Sequence, residues 1–201
     1  FDAEPYDPPV RFRRTFKLKE KPEYAKIYMT AHGIYNLSVN GKKVPGTLLA
    51  PGFTTYEKRL KYQAYDVTEF LQAGENALCA TVADGWYKGK IALGKGCEYG
   101  EVPGLLFQME MWGQDGRKSA LYSDGKFTCS FDGPIRYADL FRGEYVDARN
   151  DDGDPSEAVY AAEGWKPVKE KGFGKEQYDI LTAQSAPPVE VYEEIPAKEI
   201  M

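Results

Sequence analysis

Two short segments of this 201-residue chain combine the side-chain types that bind sugars. An aromatic ring can stack on the apolar face of a pyranose, while carboxylates accept hydrogen bonds from the hydroxyl groups around it. Asp84, Trp86 and Tyr87 provide both kinds of group close together, and Glu144 and Asp147 provide a second set of acceptors. These side chains are the predicted sugar contacts of the chain.

Each set of residues also has a structural interpretation. Trp86 follows a predicted strand, and a tryptophan in that position often covers the core. Asp147 could pair with Arg149, an interaction that contributes about 0 to 1 kcal/mol when it is exposed. The exposure of the Trp86 ring separates the alternatives, because a ring on an open loop surface favours sugar binding and a buried ring favours a scaffold.

The sequence offers no catalytic residue. Its single histidine, His32, excludes a metal centre built from several histidines and any Ser-His-Asp arrangement that does not use it. A glycosidase needs two carboxylates about 5 to 9.5 Å apart, one of them poised as an acid. The acidic residues at 151–154 fall in a predicted solvated loop, where neither condition is expected. The chain itself is therefore not expected to be an enzyme.

No cofactor is expected either. Asn150, Asp151, Asp152 and Asp154 could supply oxygen ligands to calcium, although their spacing does not match an EF-hand loop. Calcium is therefore the one metal that the sequence leaves open.

The elements that position these residues are predicted to be short β-strands. Residues 24–30 and 35–39 alternate apolar and polar side chains, and Asn40-Gly41 supplies a tight hairpin turn. Without long helical periodicity, and with 20 glycines and 13 prolines as turn residues, an antiparallel sandwich is favoured over a parallel αβ fold. The remaining predictions are strands at 77–83, 105–112, 119–123 and 127–131, a return strand at 43–44, helical turns within 66–71 and 158–164, and the inward residues Ile27, Met29, Leu37, Leu78 and Phe107.

Composition limits the function classes and the domain organisation. A hydrophobic content of 42% is enough for a core, while a net charge of -5 and a pI near 5.1 disfavour nucleic acid as a partner. No apolar run is long enough for a membrane helix, and residues 1–30 lack a signal-peptide pattern. We expect residues 1–171 to form one module, and residues 172–201 to be a linker and, at 189–192, the first strand toward a next domain.

The three cysteines, Cys79, Cys97 and Cys129, are odd in number and widely spaced, so they do not indicate a disulfide framework. They are expected to be packed free thiols, with one buried disulfide left open as an alternative. Unpaired cysteines favour a reducing compartment, and hence a cytoplasmic location, although a signal peptide could have been removed.

A series of motifs, in order along the chain, resembles the N-terminal domain of bacterial α-L-rhamnosidases. The most informative motifs are Tyr-Asp-Val-Thr at 65–68 and Gly-Glu-Asn-Ala-Leu at 74–78. Two positions depart from it, because Phe53 stands where the family usually carries tryptophan and Val146 is inserted between Tyr145 and Asp147. The other matching segments are residues 12–16, Ala31-His32-Gly33-Ile34-Tyr35, residues 39–44, Leu49-Ala50-Pro51-Gly52-Phe53-Thr54-Thr55-Tyr56, residues 84–89 and residues 143–149.

The resemblance implies an all-β fold, an antiparallel jelly-roll β-sandwich similar to galactose-binding domains, with short helical turns. Catalytic carboxylates in that family lie on a separate α/α-barrel, so the chain would be a noncatalytic module of a protein that hydrolyses terminal α-L-rhamnosides. The expected partners are a rhamnose-containing glycoside or polysaccharide and the catalytic domain of the same chain, but neither nucleic acid nor a membrane. The alternative is a scaffold that packs against the barrel and has no sugar affinity of its own.

Overall fold

Two facing β-sheets form the body of the computed structural model, which describes residues 7–172 and 174–199. The first sheet contains, from edge to edge, β12 (Lys166–Pro167), β9 (Thr128–Ser130), β1 (Val10–Leu18), β6 (Gly74–Ala83), β3 (Ile34–Val39) and β4 (Lys42–Lys43). The second contains β13 (Leu181–Ala183), β5 (Leu60–Asp66), β2 (Tyr24–His32), β7 (Gly104–Trp112) and β8 (Lys118–Tyr122).

A separate hairpin and a few helical turns complete the fold. The hairpin pairs β10 (Ile135–Asp139) with β11 (Gly143–Val146). The helical elements are α1 (Gly85–Lys88), α2 (Lys175–Asp179) and 3-10 turns at Thr68–Phe70 and Ala148–Asn150. With α-helices of only four and five residues, the described part of the chain has no helix that could cross a membrane.

The core lies between the two sheets, where alternate residues of each strand point inward. Ile27, Met29, Leu37, Leu78 and Phe107, the residues predicted to point inward, are all at most 2% exposed. The predicted all-β antiparallel jelly-roll sandwich is therefore confirmed. Among the strands of the described residues, β13 alone pairs in parallel, along β5.

The predicted strands are observed with bounds that differ by a few residues: the ladders of β2, β3, β6 and β7 extend into flanking residues, whereas β9 is shorter than predicted and β8 and β4 are shifted by one residue. The short return strand is Lys42–Lys43, after a turn in which Asn40 and Gly41 take φ angles of 49° and 77°. The helical turn expected within 158–164 is wrong, since this segment forms turns without a helix.

The segment after residue 171 contacts the sandwich more than a linker would. Leu181–Ala183 joins the second sheet as an edge strand, after the short helix at Lys175–Asp179. Residues 189–192, where a strand toward the next domain was expected, are not a strand, and Val189 makes one isolated bridge to Leu48. The backbone pairing of 181–183 has no periodic sequence signal because the strand is so short. The boundary at residue 171 itself stays a prediction.

Two arginines of β1 hold the segment from 147 to 165 against the first sheet. Arg11 donates two hydrogen bonds of 2.7 Å to the Asp152 carboxylate, and its guanidinium lies 5.1 Å from the Trp165 ring centre. Arg13 donates to the backbone oxygens of Pro155, Glu157 and Tyr160. The Arg11 guanidinium lowers the pKa of Asp152, so this contact favours the folded state above the ordinary aspartate pKa and weakens as the carboxylate protonates.

Buried hydroxyl groups differ in whether they have a partner. The Tyr35 hydroxyl, on β3, lies 2.7 Å from Gln63 Oε1 and 2.9 Å from the Tyr65 hydroxyl, both on β5, so it links the two sheets. Burial raises the pKa of Tyr35 well above its ordinary value and that of Tyr65 to about 12. The Tyr56 side chain is equally enclosed, with 4% exposure, but its hydroxyl has no hydrogen-bond partner among the described residues.

Truncation of a core leucine tests the sandwich. Leu37 has no exposed surface, so Leu37→Ala should lower the free energy of unfolding by about 2 to 5 kcal/mol, through lost burial and the cavity left behind. Leu93→Ala is the matched control, because Leu93 is 99% exposed and its truncation should change stability by less than about 0.5 kcal/mol. Urea unfolding followed by circular dichroism measures both. Equal effects of the two variants would contradict the assigned core.

The two buried hydroxyls should respond oppositely to removal. Tyr35→Phe should cost about 1 to 3 kcal/mol, because Gln63 and Tyr65 lose a buried partner, whereas Tyr56→Phe should leave stability unchanged or raised. Since the pKa of Tyr35 and of Tyr65 is raised in the folded state, their stabilisation is fully present below about pH 10 and is lost as the pH rises through the folded values. Urea unfolding at pH 7 and above pH 10 measures both effects. A loss for Tyr56→Phe as large as for Tyr35→Phe would show that the Tyr56 hydroxyl is satisfied.

Candidate functional site

The first predicted contact segment lies at one end of the sandwich, where β6 passes into α1. Gly85, the first residue of the helix, has a φ of 54°, and a Cβ there would lie 2.7 Å from Ile34 Cγ2 and 2.8 Å from the Ile34 nitrogen. Only glycine allows the chain to turn this closely against β3. The turn places Trp86 and Tyr87 directly after the end of the strand.

The Tyr87 ring packs among other rings. It is stacked on His32 with a centroid separation of 4.2 Å and an interplanar angle of 8°, and it meets Tyr56 edge to face at 5.2 Å. Gly100 has no room for a side chain next to the Tyr87 hydroxyl. Burial lowers the pKa of His32, with a smaller effect from Lys171, so the imidazole is neutral where it stacks. His32 therefore has a packing role, and it covers one face of the Tyr87 ring.

Trp86 has the same intermediate burial as Tyr87, but its ring has a different neighbour. It meets Phe53 edge to face at 6.3 Å, and Phe53 in turn lies 6.5 Å from Tyr99. Phe53 is 49% exposed, and Tyr99 is half-buried. These three side chains, Phe53, Trp86 and Tyr99, form what we term the aromatic patch. Trp86 is thus not a core plug, which supports the binding interpretation of this segment.

The Asp84 carboxylate is directed into an ion-pair network at the base of the same turn. It lies 3.5 Å from Lys88 Nζ, which also lies 2.8 Å from an oxygen of Asp7. Burial raises the pKa of Asp84, with Lys88 opposing the shift and the charge of Asp139 adding to it. Its side chain is 15% exposed, so it has little surface for a sugar hydroxyl.

Asp84 and Asp139 are two acidic side chains that interact electrostatically, as a pair of catalytic carboxylates would, but both have structural partners. Asp139 accepts hydrogen bonds from the backbone N–H groups of Lys90, Phe141 and Arg142. It therefore fixes the β10–β11 hairpin next to the loop after α1. Because Asp84 is paired with Lys88, neither carboxylate lies free at an open cleft.

The second predicted contact segment makes its own polar contacts. Glu144 is exposed on β11, and Asp147 accepts hydrogen bonds from Arg149 Nε at 2.8 Å and Nη2 at 2.6 Å. These bonds lower the pKa of Asp147, so the ion pair considered as the alternative in the sequence is present. Among the described residues, no hydrogen bond or ion pair connects Glu144 or Asp147 with residues 84–88. Their contact with a sugar stays a prediction.

The acidic loop at 150–154 is held by protein groups. Asp152 is bound to Arg11, while the Asp154 carboxylate accepts hydrogen bonds from the backbone nitrogen and hydroxyl of Ser156. Within residues 7–172 and 174–199, no group of three or more His, Cys, Asp or Glu side chains could hold a metal ion. Calcium binding stays a prediction.

The cysteines are all free among the described residues, and they differ in environment. Cys79 is buried, which raises its pKa to about 12, and Cys129 is half-buried. Cys97 is exposed, so the expectation that all three are packed thiols is wrong for this residue. Its loop carries no strand pattern that would have placed it inside or outside.

Sequence reasoning missed the groove beside the aromatic patch. It has a volume of about 330 Å³ and opens between the loop that follows Gly52 and the start of β5. The lone apolar Phe53 in a polar, turn-rich loop was the available signal, together with the cations that follow it. The residues that line the groove are Phe53, Thr54, Thr55, Lys58, Arg59 and Lys61.

Comparison with known proteins gives a consistent result at the level of family. Residues 20–193 match the family described as the α-L-rhamnosidase N-terminal domain. An α-L-rhamnosidase of Streptomyces avermitilis is 37% identical over 191 residues, which cover 94% of this chain and 18% of that protein. The chain thus spans less than a fifth of the length of this relative.

Solved structures agree with the sequence match. The crystal structure of the Streptomyces avermitilis α-L-rhamnosidase in complex with L-rhamnose superposes with a TM-score of 0.87 at 35% identity, covering 96% of this chain and 19% of that one. The native α-L-rhamnosidase of Aspergillus terreus superposes with a TM-score of 0.85 at 34% identity, covering 94% and 21%. The chain is matched over most of its length in sequence and in structure, and it therefore belongs to the family of α-L-rhamnosidase N-terminal domains.

Proposed function

We propose that this module recognises rhamnose-containing glycosides or polysaccharides on behalf of an α-L-rhamnosidase. The observation that carries the proposal is the aromatic patch, in which the partly buried Trp86 lies beside the 49% exposed Phe53 at the loop end of the sandwich. Rhamnose is a 6-deoxy sugar, so its methyl group and ring face offer an apolar surface to such rings. Its hydroxyl groups would bond to the polar side chains around the patch.

The activity proposed for the whole protein is the hydrolysis of terminal α-L-rhamnosides. Its support is the name of the matched relatives, which are α-L-rhamnosidases several times longer than this chain. The catalytic carboxylates would then lie on another domain of the same polypeptide, and this module would hold substrate near that domain.

A second candidate function is a scaffold that packs against the catalytic domain and has no affinity for sugar. The β10–β11 hairpin favours it, because several large apolar side chains of this two-stranded sheet are exposed. Clustered exposed apolar side chains mark contact surfaces. The residues concerned are Leu140, Phe141, Tyr145 and Val146, which are 37% to 59% exposed.

Titration with L-rhamnose distinguishes the two functions. A monosaccharide on a shallow surface retains little binding free energy after ordering costs, so we expect a Kd of about 0.1 to 10 mM. Trp86→Ala should abolish the heat seen by calorimetry, because the stacking surface is removed. Tyr122→Ala is the matched control, since Tyr122 is an aromatic side chain of similar exposure to Phe53, on β8.

The titration should be run with and without calcium, and the fold of each variant checked by thermal unfolding. Absence of heat at tens of millimolar rhamnose would leave the scaffold function. Equal loss in the Tyr122→Ala control would show that the sugar does not bind at the aromatic patch.

The chain by itself should not hydrolyse an aryl α-L-rhamnoside. Two acidic side chains that interact electrostatically, Asp84 and Asp139, are bound to Lys88 and to three backbone N–H groups, respectively. Release of the aryl chromophore, followed over hours at high protein concentration, measures any turnover. Turnover that persists through repeated purification and disappears in Asp84→Asn would refute this expectation.

A further inference from the structure

The groove beside the aromatic patch is lined by positively charged side chains that lack an ion-pair partner among the described residues. Lys58, Arg59 and Lys61 line it, in a chain whose net charge is -5. Among the described residues, none of these three cations forms an ion pair with a carboxylate. Lys61 Nζ donates one hydrogen bond, of 3.1 Å, to the backbone oxygen of Phe53. The neighbouring Glu57 does not line the groove.

The backbone that presents these cations is fixed by its own hydrogen bonds. The N–H groups of Lys58 and Arg59 both donate to the Thr55 oxygen at 2.9 Å, which closes a tight turn before β5. Thr54 is buried under this turn, while Lys58 and Arg59 are exposed. The cations therefore project from an ordered turn into solvent at the mouth of the groove.

We propose that this groove is a subsite for a negatively charged sugar, a uronic acid or a sulfated sugar, next to the rhamnose held by the aromatic patch. The inference rests on the proposed function and adds the class of glycan. Phe53 belongs to both surfaces, since it lines the groove and lies 6.3 Å from the Trp86 ring. Neighbouring residues of one glycan could thus occupy the two surfaces together.

The chemistry of the groove suits a sugar oxyanion. The planar guanidinium of Arg59 can bind a carboxylate or sulfate through two parallel hydrogen bonds, while Lys58 adds a point charge. The threonine hydroxyl of Thr55 can bond to a ring hydroxyl. The volume of about 330 Å³ lies at the lower end of the range for small-molecule sites, as a single sugar ring requires.

Calorimetric titration of the 201-residue chain with three matched oligosaccharides tests the proposal. The first alternates rhamnose with galacturonic acid, the second is the same oligosaccharide with its carboxylates reduced to alcohols, and the third is a sulfated rhamnose oligosaccharide. The test variant is Lys58→Gln with Arg59→Gln. The control is Lys42→Gln with Lys43→Gln, which removes the same charge from two exposed lysines of β4.

We expect an acidic oligosaccharide to bind more tightly than the neutral one, and the test variant to lose this advantage. Exposed charge pairs contribute about 0.2 to 1 kcal/mol each, so the loss should be roughly 2- to 30-fold in Kd. The control pair should retain the advantage. In 1 M salt, where the Debye length is about 3 Å, the advantage should disappear for the unaltered protein. The tighter of the two acidic oligosaccharides identifies the anion.

Each other outcome decides against at least one of the two proposals. Equal affinity for acidic and neutral oligosaccharides, or equal losses in the test and control variants, overturns the anionic subsite. The proposed function then survives if Trp86→Ala still weakens neutral binding. If only acidic oligosaccharides bind, and their binding requires Lys58 and Arg59, the proposal of rhamnose recognition is refuted and the proposal of an anionic subsite is supported. Binding of none overturns both, as expected if the groove instead faces an acidic protein surface.

Discussion

Apolar contact between the inner faces of the two sheets is the constraint on which the other features depend. Leu37 and Leu78 of the first sheet and Ile27, Met29 and Phe107 of the second are almost fully buried in one cluster. Because side chains alternate along a strand, this burial also fixes which residues face solvent and where each strand ends. The loops that carry the aromatic patch and the groove start from those strand ends.

Polar contacts fix the positions of segments that apolar burial alone would not hold in place. Tyr35 links the sheets through Gln63 and Tyr65, and Arg11 and Arg13 attach a long irregular segment to the first sheet. Truncation of one partner in such a buried contact is costly, since the other is left unsatisfied. The loop end of the sandwich is different, because the cations of the groove form no ion pair with a described carboxylate and the Phe53 ring is half-exposed.

The residues of the candidate site thus fall into two groups: those that hold its structure and those whose surface remains available to a ligand. Tyr87, Asp84 and His32 are occupied by stacking and by the ion pair with Lys88, and they hold the turn that carries Trp86. Trp86 and Phe53 retain free ring surface, with Lys58 and Arg59 beside them. A neutral sugar face and a nearby anion are the ligand groups that this combination would bind.

The sequence by itself indicated the family through its motifs. Period-two alternation and turn residues, which are local signals, indicated seven of the described strands, their inward faces and the hairpin at Asn40-Gly41. The sequence also placed an aromatic and an acidic residue at the end of β6. Only the tertiary structure decided which of these is free, since Asp84 is paired through space with Lys88 and Asp147 with Arg149. The edge strand Leu181–Ala183 and the meeting of Phe53 with Trp86 likewise depend on contacts between residues distant in sequence, which no local pattern encodes.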